Sequence, residues 1–303
     1  MASATPSQLG PYRLLNIVNT GQTSRIWQAY HDVEQKLCGV KVLLDDFRRN
    51  REHLAYLKQE WIVGGKLEHP RIIRMLDFAT QKGEPYLAME WFSAPNLKQR
   101  LRYDYQQFEY LFPNLIEQMC EALIHLHDHG WVHRDVKPDN FLVSDSGEVK
   151  LIDFALAQRA KAGLSRLLGS KGKIQGTKSY MSPEQIRGAA LDGRADLYSL
   201  GCTVFEMVGG RTPFTGVNAT ELLTKHLRSS PPTIESLNRN ITPEFGDLVR
   251  RCLAKTPSAR PASVADFLNE MRMLRIFRTA PKPPSELPKS AESAEIDDSG
   301  EVA

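Results

Sequence analysis

Three features are scarce in this sequence: continuous apolar segments, cysteine pairs and a dominant charge. No stretch of about 18 apolar residues could cross a bilayer, and the first residues lack the apolar core of a signal peptide. The four cysteines are far apart and form no Cys-x-x-Cys pair, which argues against a disulfide framework: Cys38, Cys120, Cys202 and Cys252. These absences predict a cytoplasmic protein in a reducing compartment, without a membrane span.

The charge balance is close to neutral over the whole chain. There are 39 Lys and Arg residues against 36 Asp and Glu residues, a net charge of +3. This value gives no reason to expect a nucleic-acid partner. Residues 281–303 hold six acids and two lysines, a net charge of −4, which leaves +7 for residues 1–280. The body of the chain and its C-terminal segment therefore have opposite signs.

The length of 303 residues suits two domains, or one domain built of two lobes. Short apolar-rich stretches with turn residues between most of them predict β-strands in the first part of the chain: Tyr12–Ile17, Arg25–Tyr30, Cys38–Leu43, Ile72–Ala79 and Tyr86–Glu90. One helix is predicted among them, over Arg49–Leu67, although Gly64 and Gly65 weaken it.

Longer helices are predicted after residue 96. The apolar positions place them over Leu115–His127 and Leu197–Val208, and after Thr242 and Ser263. The helix Leu197–Val208 is apolar on all sides, which predicts a buried central helix. Residues 1–8 and the Pro- and Ser-rich acidic segment 279–303 are predicted to be disordered.

The most informative motif is His-Arg-Asp-Val-Lys-Pro-Asp-Asn at residues 133–140, followed by Asp153-Phe154 behind a short apolar run. It resembles the catalytic loop and the metal-binding aspartate of protein kinases. The resemblance implies that Asp135 accepts the proton of the attacking hydroxyl and that Lys137 contacts the γ-phosphate of ATP. It also implies that Asn140 and Asp153 hold Mg²⁺.

Two further positions resemble the nucleotide site of the kinase small lobe. Lys41, in Gly-Val-Lys of the third β segment, is expected to bind the phosphates of ATP, and Glu60 in the following helix is its expected partner. Glu52 or Glu68 could compete for this role. The residues Met89, Glu90, Trp91 and Phe92 are similar to the gatekeeper and hinge that bind adenine through backbone groups.

The segment Gly176–Glu184 resembles the end of a kinase activation segment, with Ser182 where the family most often has alanine. Thr177 is then expected to line the acceptor site near Asp135 and Lys137. The resemblance implies two structural roles: Arg260 pairs with Glu184, and Asp196 braces the backbone of the catalytic loop.

The chain departs from the kinase pattern at three places. The loop that covers the phosphates has one of the usual three glycines, and its nucleotide-binding positions are Asn19, Gly21, Ser24 and Ile26. We expect weaker or slower nucleotide handling from it. Ala155 replaces the glycine after Asp-Phe, which restricts flipping of that segment. Gly64 replaces a larger apolar residue, which predicts a loosely docked helix.

The activation loop is basic and offers candidate phosphorylation sites. Six cations and no acids lie between Ala155 and Lys178: Arg159, Lys161, Arg166, Lys171, Lys173 and Lys178. Autophosphorylation is expected at Ser165, Ser170 or Thr177, with Arg134 as the partner of the phosphate. The loop could instead favour acidic substrates or bind the acidic C-terminal segment.

These features together predict an α+β, bilobal protein kinase fold. A small antiparallel sheet lobe with one main helix covers residues 9–90, a hinge covers 90–94 and a larger, mainly helical lobe covers 95–278. The expected function is transfer of phosphate from ATP to Ser or Thr of protein substrates, because Lys137 follows Asp135 as in serine/threonine kinases. The bacterial eukaryotic-like kinases are the most similar group.

Two alternatives remain open. A pseudokinase would bind nucleotide as a scaffold without turnover, which the degenerate glycine loop would permit. A small-molecule phosphotransferase of similar fold should lack the segment 176–184 that builds a protein-substrate platform. The oligomeric state is not predicted.

Overall fold

The chain folds into two lobes in the computed structural model, which describes residues 7–160 and 176–283. The small lobe contains an antiparallel six-stranded sheet of order β1-β2-β3-β4-β6-β5. Its strands are β1 (Gln8–Leu9), β2 (Tyr12–Thr20), β3 (Ser24–His31), β4 (Lys36–Leu43), β5 (Met75–Gln81) and β6 (Glu84–Glu90). The helix α1 (Arg51–Gly64) connects β4 to β5. The predicted α+β fold with a small antiparallel sheet lobe is confirmed.

The large lobe is mainly helical. The helices that the structure describes there are α2 (Leu97–Tyr103), α3 (Tyr105–Phe108), α4 (Phe112–Asp128), α5 (Pro183–Ile186), α6 (Gly193–Gly209), α7 (Ala219–Arg228), α8 (Pro243–Cys252) and α9 (Val264–Arg272). Its short strands are β7 (Trp131–Val132), β8 (Phe141–Val143), β9 (Val149–Leu151) and β10 (Gln158–Arg159). The pairs β8–β9 and β7–β10 are antiparallel.

The core of the large lobe forms around α4 and α6. Every residue of α6 from Ala195 to Val208 is buried, which confirms the central helix expected from its apolar sequence. Gly210 ends this helix with φ of 75°, a left-handed conformation that glycine adopts without a Cβ clash. One continuous apolar cluster runs from this lobe into the small lobe through residues such as Leu57, Ile73 and Phe154.

The element boundaries differ from the sequence prediction in a few places. Helix α1 begins after Asn50, whose side chain accepts hydrogen bonds from two backbone N–H groups, and it ends at Gly64, three residues before the predicted end. Ile72 forms an isolated bridge to Leu151 rather than beginning a strand. Gln8 pairs with Arg13 in the sheet, so ordered structure begins within the N-terminal segment that we expected to be disordered.

All four cysteines are buried free thiols, as their apolar surroundings predict. None of the helices in residues 7–160 and 176–283 has the length and apolar character needed to cross a membrane.

Candidate active site

The loop of residues 133–140 lies between β7 and β8, and a short hairpin connects it to Asp153. In this hairpin Phe141 pairs with Leu151, and the N–H of Ile152 donates to the carbonyl oxygen of Asn140 at 3.0 Å. The strand register therefore brings Asn140 and Asp153 to the same end of the hairpin, although 13 positions separate them in sequence.

Asp196, in the first turn of α6, fixes the start of the loop. Its fully buried carboxylate accepts hydrogen bonds from the N–H of His133 at 2.7 Å, the N–H of Arg134 at 2.8 Å and Nε2 of His127 at 2.8 Å. Burial acts to raise the pKa of Asp196, but these hydrogen bonds and the nearby histidines hold it below its ordinary value. The carboxylate thus stabilises Arg134, whose φ of 73° is unfavourable for a non-glycine residue.

Asp135, Lys137 and Thr177 form a compact polar group. Nζ of Lys137 donates to Oδ2 of Asp135 and to Oγ1 of Thr177, both at 2.6 Å, and the N–H of Thr177 donates to Oδ1 of Asp135 at 2.8 Å. Nδ2 of Asn140 donates to the carbonyl oxygen of Asp135 at 2.8 Å. The structure therefore brings together the three residues that were expected to surround the acceptor hydroxyl.

Lys41 reaches across the cleft from β4. Its Nζ lies 2.6 Å from Oε2 of Glu60 and 3.8 Å from Oδ1 of Asp153. Burial alone would lower the pKa of Lys41, but the two carboxylates raise it above its ordinary value, so the lysine remains charged. Burial acts to raise the pKa of Asp153, yet Lys41 and His133 hold that pKa below its ordinary value.

The structure distinguishes Glu60 from its two competitors. Glu60 is 2% exposed and faces Lys41 from α1. Glu52 accepts a hydrogen bond from the Tyr56 hydroxyl at 2.7 Å, and Glu68 is exposed after the end of the helix. Only Glu60 of the three lies beside the lysine.

The expectation of a loosely docked α1 is wrong. A Cβ atom at Gly64 would lie 2.8 Å from Cγ of Met75 and 3.1 Å from Cδ2 of Phe154, so the space of the missing side chain is already filled. The Gln59 side chain also donates to the carbonyl oxygen of Ala157 at 2.8 Å. Met75 comes from β5, and the sequence contains no signal that this strand supplies the filling residue.

Ala155 occupies its position without a positive φ, whereas the preceding Asp153 has φ of 66°. Alanine therefore causes no backbone strain in this arrangement. The ring of Phe154 is fully buried and meets the His133 ring edge-on, with 5.6 Å between centroids. Phe154 therefore lies between the catalytic loop and Gly64 of α1 in the small lobe.

The turn between β2 and β3, which we call the roof, carries the residues that are expected to cover the nucleotide phosphates. Asn19 pairs with Ile26, and the N–H of Gly21 donates to the carbonyl oxygen of Ser24 at 2.9 Å. None of these four residues has a positive φ, so this conformation does not require further glycines.

The predicted hinge follows β6. Met89 pairs with Gly39 and with Met75, so it lies between β4 and β5 in the sheet. The Glu90 carboxylate is bound by Lys150 at 2.7 Å and by the N–H of Arg74 at 3.0 Å. Phe92 is partly buried and packs against the core. The contact with Lys150 fixes the end of β6 to the large lobe and was not foreseen from the sequence.

Arg260 and Glu184 form a buried pair behind the site. Nη1 and Nη2 of Arg260 lie 2.6 Å and 2.8 Å from the two carboxylate oxygens of Glu184. Arg260 also donates to the carbonyl oxygens of Arg194 and Ala254. The guanidinium therefore holds the segment around Glu184 against the start of α6 and the loop after α8.

Asn140 and Asp153, at the same end of the β8–β9 hairpin, offer oxygen donors that fit a magnesium ion bound together with substrate phosphates. Nδ2 of Asn140 donates to Asp135, which leaves the amide oxygen of Asn140 as a possible metal ligand, and the hairpin brings Asn140 and Asp153 to the same end. Within the described part of the chain, no three His, Cys, Asp or Glu side chains are arranged to hold a metal ion. Mg²⁺ typically takes one or two protein oxygens together with substrate phosphates, and this donor set suits that mode.

The bilobal fold and the residues gathered in its cleft are those of one family, which comparison with known sequences identifies. The profile of the protein kinase domain matches residues 12–271. The chain belongs to the protein kinase family.

Several curated relatives are bacterial. The chain is 32% identical over 268 residues to the serine/threonine-protein kinase PknB of Mycolicibacterium smegmatis, covering 87% of this chain and 43% of the relative. It is 31% identical over 279 residues to PknA of Mycobacterium tuberculosis, covering 90% of this chain and 63% of the relative. It is 27% identical over 258 residues to PrkC of Bacillus subtilis, covering 85% of this chain and 39% of the relative. The chain thus spans only part of each relative.

Proposed function

We propose that this protein transfers the γ-phosphoryl group of ATP to Ser or Thr hydroxyls of protein substrates. The arrangement of Asp135, Lys137 and Thr177 carries the proposal. It places the Lys137 ammonium 2.6 Å from both the Asp135 carboxylate and the Thr177 hydroxyl, and the Thr177 N–H 2.8 Å from the same carboxylate. The names of the bacterial relatives are consistent with this reaction.

In the proposed step a substrate hydroxyl lies beside Asp135. Its oxygen attacks the γ-phosphorus, its proton passes to the Asp135 carboxylate, and the bond to the bridging oxygen breaks with ADP as leaving group. Lys137, already in contact with Asp135, donates hydrogen bonds to the transferring phosphoryl oxygens. Thr177 lines the acceptor site, since both its N–H and its hydroxyl are directed to this pair.

The nucleotide phosphates are assigned to the opposite side of the cleft. Lys41 binds them, and Glu60 fixes the direction of the Lys41 side chain through their 2.6 Å contact. Asn140 and Asp153 hold the magnesium ion that accompanies ATP. When bound, this ion neutralises charge on the phosphates.

Adenine is assigned to the segment 90–94, the proposed hinge between the lobes 9–90 and 95–278. Backbone groups of Glu90 and Phe92 bind the base, and Met89 limits the depth of the pocket. The turn with Asn19, Gly21, Ser24 and Ile26 covers the phosphates from above.

Loop phosphorylation is the proposed means of activation. Of its candidate acceptors, Ser165 and Ser170 lie outside the described residues, as do Lys161, Arg166, Lys171 and Lys173. Thr177 is better suited to the acceptor site because Lys137 and Asp135 already bind it. We also propose a cytoplasmic location, which the four buried free thiols support.

The test is ATP- and Mg²⁺-dependent incorporation of phosphate into the protein itself and into a generic protein substrate. Asp135→Asn and Asp153→Asn are expected to lower the rate by about 10²–10⁴-fold, because each removes a charge that the reaction requires. Asp139→Asn is the matched control, since Asp139 is an exposed acid of the same loop. It should retain the wild-type rate within a few-fold.

The same samples distinguish the pseudokinase. A folded wild-type protein that shows a nucleotide-dependent thermal shift but no phosphate incorporation would contradict the proposal. Equal rates for wild type and both Asn variants would contradict the assigned roles.

A further inference from the structure

A groove of about 550 Å³ lies on the large lobe, and none of its lining residues belongs to the candidate active site. It is lined by the start of α4, the end of α9 and the segment 274–280. Its apolar lining includes Met271, Ile276 and Phe277, which are 4–7% exposed. The groove thus combines an apolar floor with a solvent-accessible opening.

The rim of this groove is basic. Arg272, Arg275 and Arg278 line it, and all three are exposed. Arg272 is bound to Glu117, the only acid among the lining residues. Nε of Arg278 donates to a carbonyl oxygen at 3.2 Å. Within residues 7–160 and 176–283, no carboxylate forms an ion pair with Arg275 or Arg278, so both charges are available to a ligand.

The chain that follows the groove has the complementary composition. The last lining residue is Ala280, and residues 284–303 contain six acids and one lysine. The first acid, Glu286, precedes Leu287, one of the few larger apolar residues of the segment. A segment of 20 residues spans up to about 70 Å when extended, so its reach does not limit a return to the groove.

We propose that the acidic segment 284–303 binds this groove within the same chain. Carboxylates of the segment pair with Arg275 and Arg278, and Leu287 contacts the apolar floor. Exposed ion pairs are individually weak and sensitive to salt. Direct covalent attachment makes weak contacts sufficient, because it keeps the segment at a high local concentration beside the groove. The interaction is independent of the phosphotransfer reaction proposed above.

A spin label tests the proposal in the full chain. All four native cysteines are buried, so Ser290→Cys adds an accessible thiol within the acidic segment that a nitroxide reagent can label selectively. We expect the nitroxide spectrum to contain an immobilised component at low salt. This component should disappear near 1 M salt, where the screening length falls to about 3 Å.

Charge variants identify the partner of the segment. Arg275→Glu with Arg278→Glu should release the label at low salt. The matched control is Arg211→Glu with Arg228→Glu, which changes two exposed arginines of the same lobe and should leave the label immobilised. Changing the six acids to amides should also release it without touching the folded body: Glu286, Glu292, Glu295, Asp297, Asp298 and Glu301.

Three results would overturn the proposal. They are a label that is fully mobile at low salt, a release caused equally by the control pair, and an immobilised fraction that falls on dilution. The last result would mean that the segment binds a second copy instead of its own chain. Thermal unfolding of each variant verifies that the body remains folded.

Discussion

The catalytic loop of the large lobe and the turn between β2 and β3 of the small lobe are held in different ways. The catalytic loop of residues 133–140 is fixed by a buried carboxylate, Asp196, which binds two of its backbone N–H groups. The turn between β2 and β3 is held by strand pairing and by backbone hydrogen bonds, from the N–H of Gly21 to Ser24 and from the N–H of Leu44 to Thr23, and its residues are exposed or half-buried. The difference teaches that the catalytic loop is positioned by a buried charge, whereas the turn between β2 and β3 is positioned by backbone pairing.

Buried charge also fixes an unfavourable backbone. Arg134 and Asp153 both have positive φ in the large lobe, close to the carboxylates that stabilise the loop. The residues Asn19, Gly21 and Ser24 of the roof show no such conformation. At Arg134 the hydrogen bond to Asp196 offsets the strain, whereas the roof has no such strain to offset.

The largest effect is expected from a buried pair of the large lobe. Arg260→Ala leaves Glu184 as an uncompensated buried carboxylate, so the free energy of unfolding should fall by about 3–5 kcal/mol. Equilibrium denaturant unfolding measures the change. Arg251→Ala is the control, because its pair with Glu270 is exposed and should contribute no more than about 1 kcal/mol. An equal decrease in the free energy of unfolding of the two variants would contradict the expectation that the buried pair contributes more than the exposed pair.

The second-largest effect is expected for the buried Lys41–Glu60 pair, which connects β4 of the sheet to α1. Glu60→Gln removes the charge that orients Lys41, and we expect kcat/KM for ATP to fall by about 10²-fold. Thermal unfolding should change little by comparison with Arg260→Ala. Glu68→Gln serves as the control, since that acid is exposed beyond the helix. A wild-type kcat/KM in the Glu60 variant would show that Lys41 does not need the charge of Glu60 to act on ATP.

A smaller effect is expected from lowering the pH. His226 is fully buried, and burial lowers its pKa from 6.5 to about 4 in the folded protein. The unfolded chain therefore binds an additional proton below pH 6.5, and this contribution to stability is lost as the pH falls toward 4. From pH 7 to pH 5 the loss should be about 2 kcal/mol.

The His226→Gln variant isolates that contribution. Glutamine does not titrate and can still accept the hydrogen bond of the Tyr198 hydroxyl, which lies 2.9 Å from Nδ1 of His226. Denaturant unfolding at the two pH values should show a smaller difference in this variant than in wild type. His129→Gln, at an exposed histidine, should keep the full difference. An unchanged pH dependence in His226→Gln would exclude His226 as the source.

The smallest effect is expected in the roof. Ser24→Gly restores a family glycine and permits closer backbone approach to the phosphates, so KM for ATP should decrease by about threefold or less, the equivalent of about 0.6 kcal/mol. Steady-state kinetics at varied ATP measures it. Thr23→Gly is the control in the same turn. A change above tenfold would mean that the roof is as critical as the catalytic loop.

The sequence predicted the local elements well where one residue pattern decides them. The apolar surround of α6 predicted its burial, and Gly210 marked its end. The helix α1 was predicted five residues too long, two at its start and three at its end, because the period of the apolar residues does not show the Asn50 cap or the turn after Gly64. The ends of a helix also depend on contacts with residues distant in sequence, and the period of the apolar residues alone does not give those ends.

The same limit applies to the site. The motif at residues 133–140 was sufficient to propose the reaction, whereas Glu60 was expected with Glu52 and Glu68 as competitors, and the contact with Lys41 separates them. The contacts of His127 with Asp196 and of Lys150 with Glu90 were not foreseen, because the two residues of each pair are about 60–70 positions apart in sequence.

By itself, the sequence was sufficient to predict the family and the two-lobed fold, because the motifs at residues 133–140 and 176–184, in their order, resemble those of protein kinases. Only the tertiary structure decided that α1 is closely packed through Met75 and Phe154, and that Arg275 and Arg278, which have no carboxylate partner in residues 7–160 and 176–283, border an apolar groove. Packing and charge pairing depend on distances between segments far apart in the chain, and those distances exist only once the chain is folded.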